Sequence, residues 1–142
     1  MVSWFVFISW NYTNRTKGTT KETNDCEQAI AAFKNVASIN KAAWGAEARY
    51  EIANCYYKLN NLQAAEKAGL EVIKVTGSYD YWVAKAYILL GDIYMQQKDY
   101  FNAKATYQSV ADNATIPEMK NEAQLKLDHA IAEEKTNSKI EQ

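Results

Sequence analysis

The sequence predicts an all-α fold in which antiparallel helix pairs stack into a right-handed α-solenoid. Three observations support this prediction: an internal repeat, apolar residues at the helical period, and a composition that suits helices. Among 142 residues there are one Pro and five Gly, so few positions oppose a helical backbone. A chain of this length can also bury a substantial core.

The repeat consists of identical residues that lie 38 positions apart, as Trp44 and Trp82 do (82 − 44). Six pairs share this separation: Trp44 and Trp82, Ala46 and Ala84, Ala48 and Ala86, Tyr56 and Tyr94, Ala65 and Ala103, Val72 and Val110. Scattered chance matches would not keep one separation. Such a repeat indicates a unit that buries its apolar face only by stacking on neighbouring units.

Six helices are predicted from apolar stripes that recur every three or four residues. They span residues 25–40, 42–59, 62–75, 80–97, 100–112 and 117–135. In the same order, the stripes are Ile30, Phe33, Val36 and Ala37; Ala48, Ile52, Cys55, Tyr56 and Leu59; Ala65, Ala68, Val72 and Val75; Val83, Tyr87, Leu90, Ile93 and Tyr94; Ala103, Tyr107, Val110 and Ala111; Ala123, Leu127 and Ile131.

The joints between these helices have the residues that turns require. The pairs Asn60-Asn61 and Lys98-Asp99 are too short for anything but tight turns, which makes the flanking helices antiparallel neighbours. Gly77 suits the left-handed position that follows a helix. Pro117 suits the first position of the last helix, where its missing N–H is tolerated.

The segment from Tyr87 to Tyr107 carries the most specific pattern in the chain. Tyr87 is followed by Leu90-Gly91, then by Tyr94, and later by Ala103 and Tyr107. This arrangement resembles the helix–turn–helix signature of the tetratricopeptide repeat family.

The resemblance extends more weakly upstream. Residues 46–75 match with Ala53 in place of the Gly and Gly69 in place of the second aromatic residue, and the segment around Ala29 and Phe33 resembles a second helix alone. The resemblance thus implies about two and a half repeats and a C-terminal capping helix over residues 25–135. The ending resembles the terminal repeats of long tetratricopeptide repeat proteins of Bacteroidetes, which implies the bacterial periplasm or cell envelope, with the cytoplasm as the alternative.

The two ends of the chain depart from the repeat pattern. Residues 136–142 are predicted to form a flexible tail. Residues 1–24 form a non-repeat segment, because no apolar residue other than Gly occurs between Tyr12 and Cys26. The apolar run from Met1 to Trp10 is too short to span a bilayer and lacks the basic start of a signal peptide. A targeting role, an interfacial anchor, a strand-like or disordered segment and a truncation artefact all stay open, as does membrane association.

No pattern of catalytic or metal-binding residues is present. His129 is the only His, and Cys26 and Cys55 fall on core-facing positions, where buried reduced thiols are expected rather than a disulfide. The net charge of −1 comes from acidic and basic residues mixed along the chain, so a nucleic-acid partner is not expected. We predict no enzyme, no cofactor and no metal.

The resemblance instead implies a protein-binding scaffold that holds a peptide or partner protein in its concave groove. Family positions that point into this groove correspond to Glu47, Tyr50, Asn54, Tyr57, Lys85, Ile88, Asp92 and Met95. Asn54 and Lys85 resemble half of a carboxylate clamp, but the further basic residues of a clamp are missing. Whether Tyr50 and Tyr57 reach a ligand or pack between repeats stays open.

The alternative function is a structural or envelope-assembly module. In that case the repeats would stack on other repeats, and the unpaired face of the 25–40 helix would mediate self-association.

Overall fold

The computed structural model describes residues 19–39, 43–77 and 81–140. In this part of the chain there are six α-helices and no strand: α1 (Thr19–Ile39), α2 (Ala43–Lys58), α3 (Leu62–Thr76), α4 (Tyr81–Gln96), α5 (Tyr100–Asn113) and α6 (Pro117–Ile140). The predicted all-α fold is confirmed. The apolar run at residues 1–10 lies outside the described residues.

Two helix boundaries differ from the prediction by more than one residue. Helix α1 begins at Thr19 rather than at residue 25, so residues 19–24 are helical despite their low intrinsic propensity. A helix propagates at little cost once it has nucleated, and residues 19–24 directly precede the segment from Cys26 onward that packs on α2.

Helix α6 continues to Ile140, although residues 136–142 were predicted to be a flexible tail. A contact with another helix accounts for the extension. The side-chain amide of Asn137 donates a hydrogen bond to the Tyr100 hydroxyl at the start of α5. The hydroxyl of Ser138 donates to the Glu134 carbonyl at 2.8 Å, one turn back. The last turns of α6 therefore lie against the preceding helix pair.

The predicted tight turns are confirmed, and they share one geometry. Asn60 and Lys98 both adopt the left-handed conformation, with φ of 57° and 59°. The next residues, Asn61 and Asp99, each donate a backbone N–H to a carbonyl of the preceding helix at 2.9 Å and cap the following helix with a side-chain oxygen. These capping bonds satisfy backbone groups that helix ends leave unpaired.

The other predicted helix ends are also confirmed. Gly77 follows α3 with φ of 68°, and its N–H donates to the Ile73 carbonyl. Pro117 is the first residue of α6.

The core consists of three buried clusters that follow one another from α1 to α6, and the partly buried Tyr56, Ala68 and Tyr94 pack between them. Each helix packs on the next, and α4 also contacts both α2 and α6. Helices α2, α4 and α6 therefore form an inner layer, and α1, α3 and α5 form an outer layer. Cys26 and Cys55 are buried in the core between α1 and α2 and are not linked to each other.

The Leu90-Gly91 motif has a direct physical role at the crossing of α4 and α5. The Tyr107 ring lies so close to the Gly91 backbone that a Cβ atom at Gly91 would be 2.3 Å from Tyr107 Cε1. Tyr107 is 1% exposed. Glycine is therefore required here because the aromatic side chain fills the space of its missing side chain.

None of the described helices is long and apolar enough to cross a membrane.

Candidate partner-binding groove

The inner layer opens into a pocket of about 490 Å³. It lies between the ends of α2 and α4 and the middle of α6, and α5 contributes one ring to its wall. The lining residues are Tyr57, Asp92, Met95, Gln96, Tyr107, Leu125, Lys126, His129 and Glu133. We call the inner-layer surface that contains this pocket the groove.

Three of the eight predicted groove residues line the pocket: Tyr57, Asp92 and Met95. Tyr57 is half-buried, and its hydroxyl accepts a hydrogen bond from Gln96 Nε2 at 3.1 Å. This bond joins corresponding ends of α2 and α4 and fixes the position of the Tyr57 ring at the mouth of the pocket.

Asp92 connects three helices. Its Oδ1 accepts a hydrogen bond from the Tyr107 hydroxyl at 2.6 Å, and both carboxylate oxygens accept from Lys126 Nζ, at 2.7 and 2.9 Å. Burial raises the pKa of Tyr107, and its hydrogen bond to Asp92 raises this pKa further. Because its oxygens already have these partners, Asp92 mainly holds the pocket together.

Tyr50 and Lys85 lie together near the start of α4. The Tyr50 ring is 5.5 Å from the Trp82 ring. Lys85 Nζ lies 5.5 Å from the centre of the Tyr50 ring and 5.4 Å from that of Tyr81. This is the distance of a cation–π contact. The Tyr50 ring therefore packs between α2 and α4, and it also contacts the predicted groove residue Lys85.

Glu47 and Asn54 lie on α2 beside Glu51. The Asn54 amide donates to Glu51 Oε2 at 3.3 Å. Burial raises the pKa of Glu47, and the nearby charge of Glu51 raises it further. The two residues that resembled half of a carboxylate clamp thus already have partners within the protein. Asn54 donates a hydrogen bond to a carboxylate, and Lys85 makes cation–π contacts with two aromatic rings.

The prediction was wrong for Ile88 as a surface contact. Ile88 is 5% exposed and belongs to the core cluster formed with α5 and α6. Helix α6 packs beside α4 and covers this position, so the side chain has no exposed face for a ligand.

The contribution of α6 to the groove was not predicted from the sequence. Four of its residues line the pocket: Leu125, Lys126, His129 and Glu133. The sequence predicted a capping helix here, whereas α6 also occupies the place of a further inner-layer helix. The sequence did contain a sign of this contribution, because the apolar residue Leu125 falls outside the apolar stripe of Ala123 and Leu127. In the structure its side chain is 72% exposed.

His129 is exposed, and its Nε2 lies 3.6 Å from Glu133 Oε1. Among the described residues no group of His, Cys, Asp and Glu side chains is arranged to hold a metal ion.

Stacked antiparallel helix pairs with an open inner groove define a helical repeat scaffold. The family model of the tetratricopeptide repeat matches residues 46–78 and 84–113. These two segments are therefore similar to tetratricopeptide repeats, as the Leu90-Gly91 motif implied. Comparisons with curated proteins and with solved structures give no match. The narrower resemblance to proteins of Bacteroidetes stays a prediction.

Tetratricopeptide repeats generally mediate protein–protein interaction, and the family generally serves as a non-enzymatic scaffold.

Proposed function

We propose that this chain is a protein-interaction module that binds a peptide, or an extended segment of a partner protein, in the groove. The observation that carries the proposal is the exposure of Leu125 at the pocket. A large apolar side chain that is 72% exposed lies in a concavity with Met95. Apolar surface held open at a concave site, rimmed by polar groups, is typical of an interaction site.

The aromatic residues of the groove are suited to the same role. Tyr57 at the pocket and Tyr81 near the start of α4 both retain exposed surface. Tyrosine contributes a large contact area and loses little conformational entropy on binding. The remaining predicted residues support the groove: Asp92 ties α4 to α6, and Asn54 and Glu47 set the polarity of its α2 side.

The alternative, self-association through α1, has weaker support. The described surface of this helix is largely polar: Glu27, Gln28, Lys34, Asn35 and Ser38 are exposed, with Ala31 and Ile39 as its apolar exceptions. Its apolar residues Ile30 and Phe33 are already buried against α2. A polar face of this kind offers little driving force for association.

The proposal can be tested by selecting peptides from a random display library against the full chain. A selected peptide is then titrated into isotope-labelled protein, and backbone amide shifts are followed by nuclear magnetic resonance. We expect the largest shifts in the inner layer, around Tyr57, Met95 and Leu125, and none with an unselected peptide. Shifts confined to α1, α3 and α5 would contradict the proposal.

Size-exclusion chromatography over a concentration series tests the alternative. An elution volume that corresponds to the monomer at all concentrations would count against self-association.

A further inference from the structure

Carboxylates outnumber lysines along the groove. Asp92 and Glu133 line the pocket, Glu47 and Glu51 lie together on α2, and Glu122 acts electrostatically on Tyr50. Against these five carboxylates, the contacts place two lysines on the same surface, Lys85 and Lys126. These seven side chains carry a formal charge of −3 (two positive and five negative), whereas the net charge of the whole chain is −1.

The two lysines leave most of this charge unneutralised. Lys126 binds both oxygens of Asp92, and Lys85 lies over the rings of Tyr50 and Tyr81. None of the ion pairs among the described residues involves Glu47, Glu51 or Glu122. Three half-buried carboxylates near the predicted groove residues Tyr50 and Asn54 thus have no cationic partner in the described part of the chain.

The negative charge of these carboxylates affects the pKa values of the groove tyrosines. Burial is the main reason why the pKa values of Tyr50, Tyr57 and Tyr107 are raised. Negative charge raises the pKa further in each case, chiefly from Glu51 for Tyr50 and from Asp92 for Tyr57 and Tyr107. A phenol is harder to ionise where the potential is already negative.

The apolar part of the pocket adjoins this acidic surface. Met95 and Leu125 line the pocket together with Asp92 and Glu133. An occupant that satisfies both features needs positive charge and an aliphatic side chain within a few residues of each other.

We propose that the groove selects a basic peptide segment. Its Lys or Arg side chains face Glu47, Glu51 and Glu122, and a neighbouring aliphatic side chain packs on Met95 and Leu125. The inference rests on the proposed function, and it assigns the chemistry of the partner. The same charge disfavours binding of a peptide's C-terminal carboxylate at Asn54, because the carboxylate of Glu51 beside Asn54 would repel it.

Three display libraries test this inference on the full chain. They share one random design and differ only at fixed alternate positions, which carry Lys, Gln or Glu. We expect enrichment from the Lys library, with peptides that bind more tightly than their Gln analogues and lose affinity as salt screens the charges.

Charge variants of the protein provide the second readout. Each of Glu51→Gln and Glu122→Gln should weaken binding of the Lys peptide by about two- to fivefold, as for partly exposed ion pairs, and the double variant by roughly tenfold. The affinity of the Gln analogue should hardly change. Glu71→Gln removes the same charge from an exposed position on α3 and serves as the matched control.

The outcomes separate this inference from the proposed function. If Gln or Glu peptides are selected and still shift the amides around Tyr57 and Leu125, the basic specificity is wrong and groove binding stands. If Glu71→Gln weakens binding as much as Glu51→Gln does, the attraction is non-specific and the inference fails. If no library is enriched, or if Lys peptides shift only outer-layer amides, both proposals fail.

Discussion

The substitution Gly91→Ala tests the packing that the repeat motif encodes. Alanine normally stabilises a helix by about 1 kcal/mol relative to glycine. Here the new Cβ would lie 2.3, 2.6 and 2.7 Å from three atoms of the Tyr107 ring, whereas ordinary contacts between carbon atoms are roughly 3.5–4.0 Å. The ring must therefore move by about 1 Å to restore an ordinary contact.

Tyr107 has little freedom to make that movement. It is 1% exposed, and its hydroxyl is bonded to Asp92. Overpacking of a filled core costs about 1–3 kcal/mol or more. We expect a cost at the upper end of this range, because the Tyr107 ring is buried and hydrogen-bonded and cannot easily move. After subtraction of the helix-propensity gain, we expect Gly91→Ala to lower the free energy of unfolding by about 2 kcal/mol.

Urea denaturation followed by far-UV circular dichroism measures this change. Gly69→Ala is the matched control, because its Cβ would meet the flexible end of Leu90 at 3.2 Å, and we expect it to stay within about 1 kcal/mol of the wild type. In a Tyr107→Ala background, Gly91→Ala should become neutral or stabilising, since its clash partner is gone. A Gly91→Ala protein as stable as the wild type would refute this reasoning.

Three further predictions concern side-chain contacts. Tyr107→Phe removes the hydrogen bond to Asp92 and should lower the free energy of unfolding by about 1–2 kcal/mol in urea denaturation; no change would contradict a net stabilising contribution of this bond. Asn137→Ala should lower the free energy of unfolding by about 0.5–1 kcal/mol and increase amide exchange after residue 135. Unchanged exchange would show that the Asn137 contact does not hold residues 136–140 in the helix. The pKa values of Tyr50 and Tyr107 are raised in the folded state. The unfolded chain therefore loses these protons at lower pH than the folded protein does, and the free energy of unfolding should fall as pH rises above 10.0. Absorbance titration should show that both phenols ionise only when the protein unfolds, and their ionisation in the native protein would contradict this.

The sequence predicted helix ends well wherever the signal was local. Asn60-Asn61, Lys98-Asp99, Gly77 and Pro117 each specify a turn or cap through their own backbone preferences. These boundaries needed no knowledge of the tertiary structure. The end of α6 was different, because it depends on a contact between Asn137 and a residue of another helix pair.

The groove was predicted less well for the same reason. The repeat pattern placed Tyr57, Asp92 and Met95 on the inner layer, where they line the pocket. It could not show that α6 covers Ile88 or that Leu125 joins the pocket, because both depend on how the last helix docks. The roles of Asp92 and Lys85 likewise depend on neighbours that are distant in sequence, and helical period alone does not identify them.

The most direct test of groove binding is the affinity of a selected peptide for two matched variants. Leu125→Ser and Phe101→Ser each remove one large exposed apolar side chain, 72% exposed in the groove and 76% exposed on the outer helix α5. Both should leave the fold intact. By fluorescence anisotropy, Leu125→Ser should weaken binding by roughly tenfold, as expected for about 1.5 kcal/mol of lost apolar burial, and Phe101→Ser should leave it unchanged. Equal affinities for both variants, or a larger loss in Phe101→Ser, would contradict groove binding.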